Sequence, residues 1–163
     1  MADFLRKYKE IILFMFAYWF ICFVMLFADG SFLYAALSWN VFLAVLPLFF
    51  VKNAETAWEQ GKTFWIIIWV FLWFFFFPNS LYVVTDFIHI SGEKFIWIAK
   101  KYSSNRGVVY SSEITVWAKL LVIGLGYLFS LLVGLESLNI FERNIRKKVS
   151  KFICYSVISV IIL

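Results

Sequence analysis

Charge is scarce in this 163-residue chain: Asp, Glu, Lys and Arg make up 15% of it, against about 25% in an ordinary soluble domain. The chain has two Pro, seven Gly, two Cys and one His. So little charge excludes a typical soluble enzyme and a charge-solvated disordered tail. So few Pro and Gly exclude low-complexity sequence, and two cysteines exclude a disulfide-stapled secreted module. Cys22 and Cys154 fall within apolar runs, without CxxC spacing, and read as small buried hydrophobes. No HExxH helix, P-loop, GxSxG elbow or dinucleotide-binding glycine pattern is present. No cofactor is expected. Nor is a metal, because zinc needs three or four ligands, and only the loop residues Asp29 and Glu113 stand ready to join Asp86 and His89.

Apolar sequence is abundant instead: 64% of the residues are hydrophobic, 23% are aromatic and mean hydropathy is +0.88. A chain of this length has no water-facing core large enough to absorb that excess, so lipid must. The expected fold is all-α: a polytopic integral membrane helical bundle forming one domain over 1–163. Residues 11–28 are eighteen positions without a charge, enough to cross a hydrocarbon layer of about 30 Å. The run is too long and too aromatic for a signal-peptide core, and Asp29-Gly30 is a poor cleavage site. Further helices are expected over about 32–51, 64–77 and 116–135, with 52–63 and 91–112 as polar loops. The fourteen residues 64–77 are short for a complete span, so either the third helix continues past a kink at Pro78 or a half-helix over 80–90 completes the crossing or lies in the interface. The apolar stretch 152–163 has only twelve residues and reads as a fifth span cut short.

The net charge of +5 comes from clusters beside apolar runs: Arg6, Lys7 and Lys9 at one end, Arg143, Arg146, Lys147, Lys148 and Lys151 at the other. Such juxtamembrane clusters set topology and touch lipid head groups, and no nucleic-acid-binding module accompanies them. Ten Lys and Arg fall in alternate loops beginning with the N-terminus, and four in the intervening ones. That asymmetry places the N-terminus in the cytoplasm of a multi-pass cell (plasma) membrane protein.

The polar residues inside the apolar background are the candidates for chemistry. On an α-helix, Asn79, Tyr82, Asp86 and His89 stand at i, i+3, i+7 and i+10, within an arc of about 80°. The single histidine and one of three aspartates thus share a face near the outer membrane boundary. A carboxylate three residues from an imidazole can orient it and raise its basicity, so Asp86 and His89 are the catalytic candidates if catalysis occurs. An interfacial polar face bonding to head groups is the blander account. In the second helix, Ala36, Asn40, Ala44 and Pro47 make a small-and-polar stripe, and Asn40 must find a partner in an apolar layer. That partner is either a neighbouring helix or the pocket of Asn79 and Asp86. Gly126, Ser130 and Gly134 form a small-xxx-small face for close helix contact. Glu136 is expected to form an ion pair with Arg143, and Trp65, Trp69 and Trp73 to make lipid or helix contacts.

The strings 38–47 (SWNVFLAVLP) and 77–89 (FPNSLYVVTDFIH) resemble the DUF1361 family of uncharacterised bacterial multi-pass membrane proteins. The likeness runs over roughly 30–140. Family members often have Pro where Leu81 stands, and a Trp-Tyr-Asp string where this chain has Tyr110-Ser111-Ser112-Glu113. They also carry a C-terminal Gly-Arg-Phe-Leu-Arg-Trp-Asn-Ser-Trp-Asp-like motif that this chain lacks. The resemblance implies a topology and a set of important positions, but no activity.

The expected function is binding of a ligand, ion or partner through Asn40, Asn79, Tyr82, Asp86 and His89. A membrane-embedded enzyme acting on a lipid or head group, and a structural or assembly subunit, are the alternatives. Expected partners are membrane lipids and a membrane-protein partner or homo-oligomer, not nucleic acid.

Overall fold

The computed structural model describes residues 6–98 and 108–146. It is an all-α bundle of four antiparallel helices: α1 (Lys9–Asp29), α2 (Leu33–Glu59), α3 (Thr63–Tyr82) and α4 (Ile114–Arg146). A 3-10 helix, Val83–Ile90, continues α3 without a break. A small antiparallel pair, β1 (Ile96–Ile98) and β2 (Val108–Tyr110), lies before α4 with Ile96 opposite Tyr110. The expected segment 152–163 lies outside the described residues.

Two tight turns fold the bundle. Gly30 ends α1 in the left-handed region (φ 67°) and returns its N–H to the Leu26 carbonyl at 3.0 Å. Gly61 has the same φ of 67° between α2 and α3, a conformation that costs glycine nothing.

Two expectations about the elements are corrected, and one open choice is decided. First, α2 runs eight residues past Val51, through the stretch assigned to a polar loop. Ala54, Glu55 and Ala57 are good helix formers buried against neighbours, and polarity there marks a helix leaving the apolar layer rather than ending. At 27 residues, α2 is roughly 40 Å long, more than the hydrocarbon layer needs. Second, of the two readings of Pro78 it is continuation that holds: α3 passes through it for four more residues. Pro78 costs the Phe74 carbonyl its partner but is exposed on the outside of the bundle. Third, residues 96–98 and 108–110 are strands, each an apolar triplet rich in β-branched and aromatic residues.

All four helices, with α3 counted together with its 3-10 continuation, are long and apolar enough to cross a membrane. Of the most apolar window, 17% is buried in α1 and 22% in α3, against 44% in α2 and 39% in α4, so α2 and α4 form the interior. Helix α2 touches every other helix and the 3-10 segment. Tyr34, Leu37, Val41, Leu48, Trp73 and Ile123 are fully buried. Trp73 stacks on Phe141 with centroids 4.0 Å apart, and its indole N–H donates to Ser137 Oγ at 3.4 Å. Trp69 stacks on Phe50, and Trp65 faces outward. Phe20, Phe27, Phe71, Phe75, Leu121 and Leu132 stand exposed around the outside, an apolar girdle suited to lipid tails.

The small-residue face of α4 makes the close contacts it predicts. A Cβ on Gly126 would lie 2.4 Å from the Tyr18 hydroxyl, and one on Gly134 would lie 2.5 Å from Ser80 Oγ. Helices α1 and α3 therefore approach α4 only because both positions lack a side chain.

Candidate functional site

The end of the bundle where α1 stops and α2 begins holds most of the residues singled out above. Asn40 lies seven residues into α2, about 10 Å along its axis from Leu33. The α3 backbone runs antiparallel to α2 and delivers the 3-10 segment to the same level. There Asn40 Nδ2 donates to both carboxylate oxygens of Asp86, at 2.9 and 3.0 Å. Asp86 is 6% exposed and Asn40 half-buried. The contact joins residues 46 apart in sequence.

The 3-10 geometry reshapes the expected face. At three residues per turn, Val83, Asp86 and His89 lie in one line, whereas Asn79 and Tyr82 belong to the α-helical part. Val83 and Asp86 are buried and His89 is exposed, so the line emerges from the bundle at the histidine. His89 remains within electrostatic range of Asp86, but the carboxylate is bonded to Asn40. Asn79 donates to the Phe76 carbonyl at 3.2 Å on its own helix, and Tyr82 is exposed. Of the five residues, the structure brings Asn40 and Asp86 together, leaves His89 at the rim, and sets Asn79 and Tyr82 apart from the contact.

Helix α1 adds residues that pattern reading did not single out as a group. Met15, Tyr18 and Cys22 are its buried positions, at i, i+3 and i+7, which was the available signal. Tyr18 donates to the Val122 carbonyl at 3.2 Å and senses the charge of Asp86. Cys22 sits against Ser38 and Tyr18, and Ser38 Oγ donates to the Tyr34 carbonyl at 2.9 Å. On α4, Ser130 is fully buried and its hydroxyl has no hydrogen-bond partner. Gly126 and Gly134 fix its place, one turn from the Tyr18 contact and one from the Ser80 contact.

Ion pairs close both ends of the bundle. Above the Asn40–Asp86 contact, Lys119 bridges Glu93 at 2.5 Å and Asp29 at 3.8 Å, tying α4 to the loop after the 3-10 segment and to the end of α1. At the far end Glu55 accepts from Lys52 and from Arg143, the latter at 2.7 Å. The direct partner of Arg143 is thus Glu55 on α2, and not Glu136, whose charge Arg143 senses from farther away. A helix that extends past Val51 is what supplies Glu55 there. Burial first, then the charges of Glu136 and Glu55, pushes the Tyr8 hydroxyl up to about 12.

A family model described as a protein of unknown function, DUF1361, matches residues 39–163, which include both members of the central contact. The chain belongs to the DUF1361 family. No curated protein and no solved structure matches it. In this DUF1361 member the buried Asn40–Asp86 contact joins α2 to the 3-10 segment.

Proposed function

We propose that this protein is an integral, multi-pass membrane protein of the cell membrane, with its N-terminus in the cytoplasm. Its function is to bind a ligand, ion or partner through the polar face around Asn40 and Asp86. The supporting observation is the Asn40–Asp86 bond. A carboxylate 6% exposed and held by a neutral amide is a costly way to join two helices in an apolar layer. Two well-packed apolar side chains would hold the same elements at less cost. That cost supports reading the buried acid as one kept for an occupant. An enzymatic role would ask Asp86 to serve His89, yet its oxygens accept from Asn40.

Hydrogen exchange tests this reading. The protein is compared in lipid discs cut directly from the membrane and after exhaustive stripping into defined lipid and choline chloride buffer. Amides of residues 83–90 should exchange faster after stripping in the wild type, and equally fast before and after in Asp86→Asn. Equal protection before and after stripping in the wild type would contradict it.

A further inference from the structure

The charges near Asp86 sum to a deficit. Lys119 is engaged by Glu93 and Asp29, Lys52 and Arg143 by Glu55, and Arg146 by Glu142 at 2.5 Å. Among the described residues, no Lys or Arg forms an ion pair with Asp86. The titratable groups around it are Tyr18 and Cys22 from α1, Tyr127 behind Phe87 on α4, and His89 on its own segment. Helix α2 contributes the neutral Asn40. Of these, His89 alone can carry a positive charge, and it is exposed.

The surroundings are rich in oxygen. A carboxylate offers about four lone-pair sites, of which Asn40 uses two. On the same inward face of α4, between the Tyr18 and Ser80 contacts, Ser130 carries a fully buried hydroxyl without a partner. Pro47 has no N–H, so the Leu43 carbonyl, one turn inward of Asn40, lacks its usual helical donor. The α-to-3-10 switch at Val83 puts irregular backbone beside the carboxylate. A carboxylate with unused lone pairs, set in irregular helix at membrane depth, is the kind of group with which a hard cation is held in place of water.

From this we infer that Asp86 and Asn40 form the core of a binding site for one monovalent alkali-metal cation, with a proton as its competitor. One carboxylate neutralises one positive charge. A divalent ion would leave an uncompensated charge in the apolar layer. The inference rests on the binding role proposed above and names its ligand class.

The test uses stripped wild-type protein in defined lipid discs, with NaCl, KCl and choline chloride at equal ionic strength. Linkage predicts roughly tenfold slower exchange at residues 83–90 when the cation is present at about ten times its Kd. NaCl or KCl should give that slowing over choline in the wild type and in His89→Gln, and not in Asp86→Asn. Acidification in choline should restore part of the protection in the wild type. Protection restored by membrane extract dialysed free of salt, and by neither NaCl nor KCl, would overturn the cation while leaving a ligand-binding face intact. Equal slowing in Asp86→Asn would overturn the site. Exchange unchanged by stripping would remove the binding role as well.

Discussion

Tyr18 lies against Gly126, so close that a Cβ at position 126 would stand 2.4 Å from its hydroxyl oxygen. The ring is buried and pinned by its bond to the Val122 carbonyl, so it has little room to move aside. Gly126→Ala should therefore lower stability in detergent by about 1–3 kcal/mol through overpacking. Gly134→Ala should do the same against Ser80. Gly124→Ala has open space around the new methyl and should be neutral or stabilising by up to about 1 kcal/mol. Thermal melts of the three variants check this, and equal losses at 124 and 126 would contradict it.

Glu55 links α2 to α4 through Arg143 while also holding Lys52. Glu55→Ala should cost up to about 1 kcal/mol: Lys52 loses its acceptor, while the Arg143 side chain, 56% exposed, turns to water. Lys52→Ala leaves the Arg143 bond in place and should cost less. The order of the two melting temperatures is the readout.

Tyr8 carries a pH signature. Its hydroxyl is pushed up from 10.0 to about 12, so the folded state holds the phenol proton more tightly than the unfolded state does. That contribution is fully present below the ordinary value and is lost as pH rises from about 10 to about 12. Tyr8→Phe should fall less steeply than wild type across this window in alkaline unfolding. Superimposable curves would show that Tyr8 contributes nothing.

Lys119 latches the loop after the 3-10 segment to α1 and α4. Lys119→Met should speed hydrogen exchange around Glu93 and, through the shared backbone, over residues 83–90, with little change at residues 52–60 at the far end. A uniform change over the whole bundle would instead mean global destabilisation.

Much of this was legible in the sequence. Long apolar runs located α1, α2 and α4, and the spacing of Gly126, Ser130 and Gly134 marked a packing face. Asn40 and Asp86 stood out as polar residues where hydrocarbon offers no partner. Their bond was less accessible, because it depends on α3 continuing through Pro78 and on the 3-10 turn that carries Asp86 inward. A period of three instead of 3.6 also took Tyr82 off the shared line. The extension of α2 was hidden because charged residues near a membrane surface read as loop, although Ala54, Glu55 and Ala57 have high helix propensity. The strand pair had a local signal in two apolar triplets, Ile96-Trp97-Ile98 and Val108-Val109-Tyr110, on either side of a polar stretch.

The central claim is that Asn40 and Asp86 act as one unit. It is tested most directly by a double-mutant cycle of Asn40→Ala and Asp86→Ala, read as unfolding free energy in detergent. Each single change should leave a polar partner unpaired, and the double variant should cost little more than either single, a coupling of about 0.5–3 kcal/mol. Asp86→Ala with His89→Gln should be close to additive, since the carboxylate is bonded to Asn40 rather than to the imidazole. Strict additivity between positions 40 and 86, or a larger coupling between 86 and 89, would contradict the account.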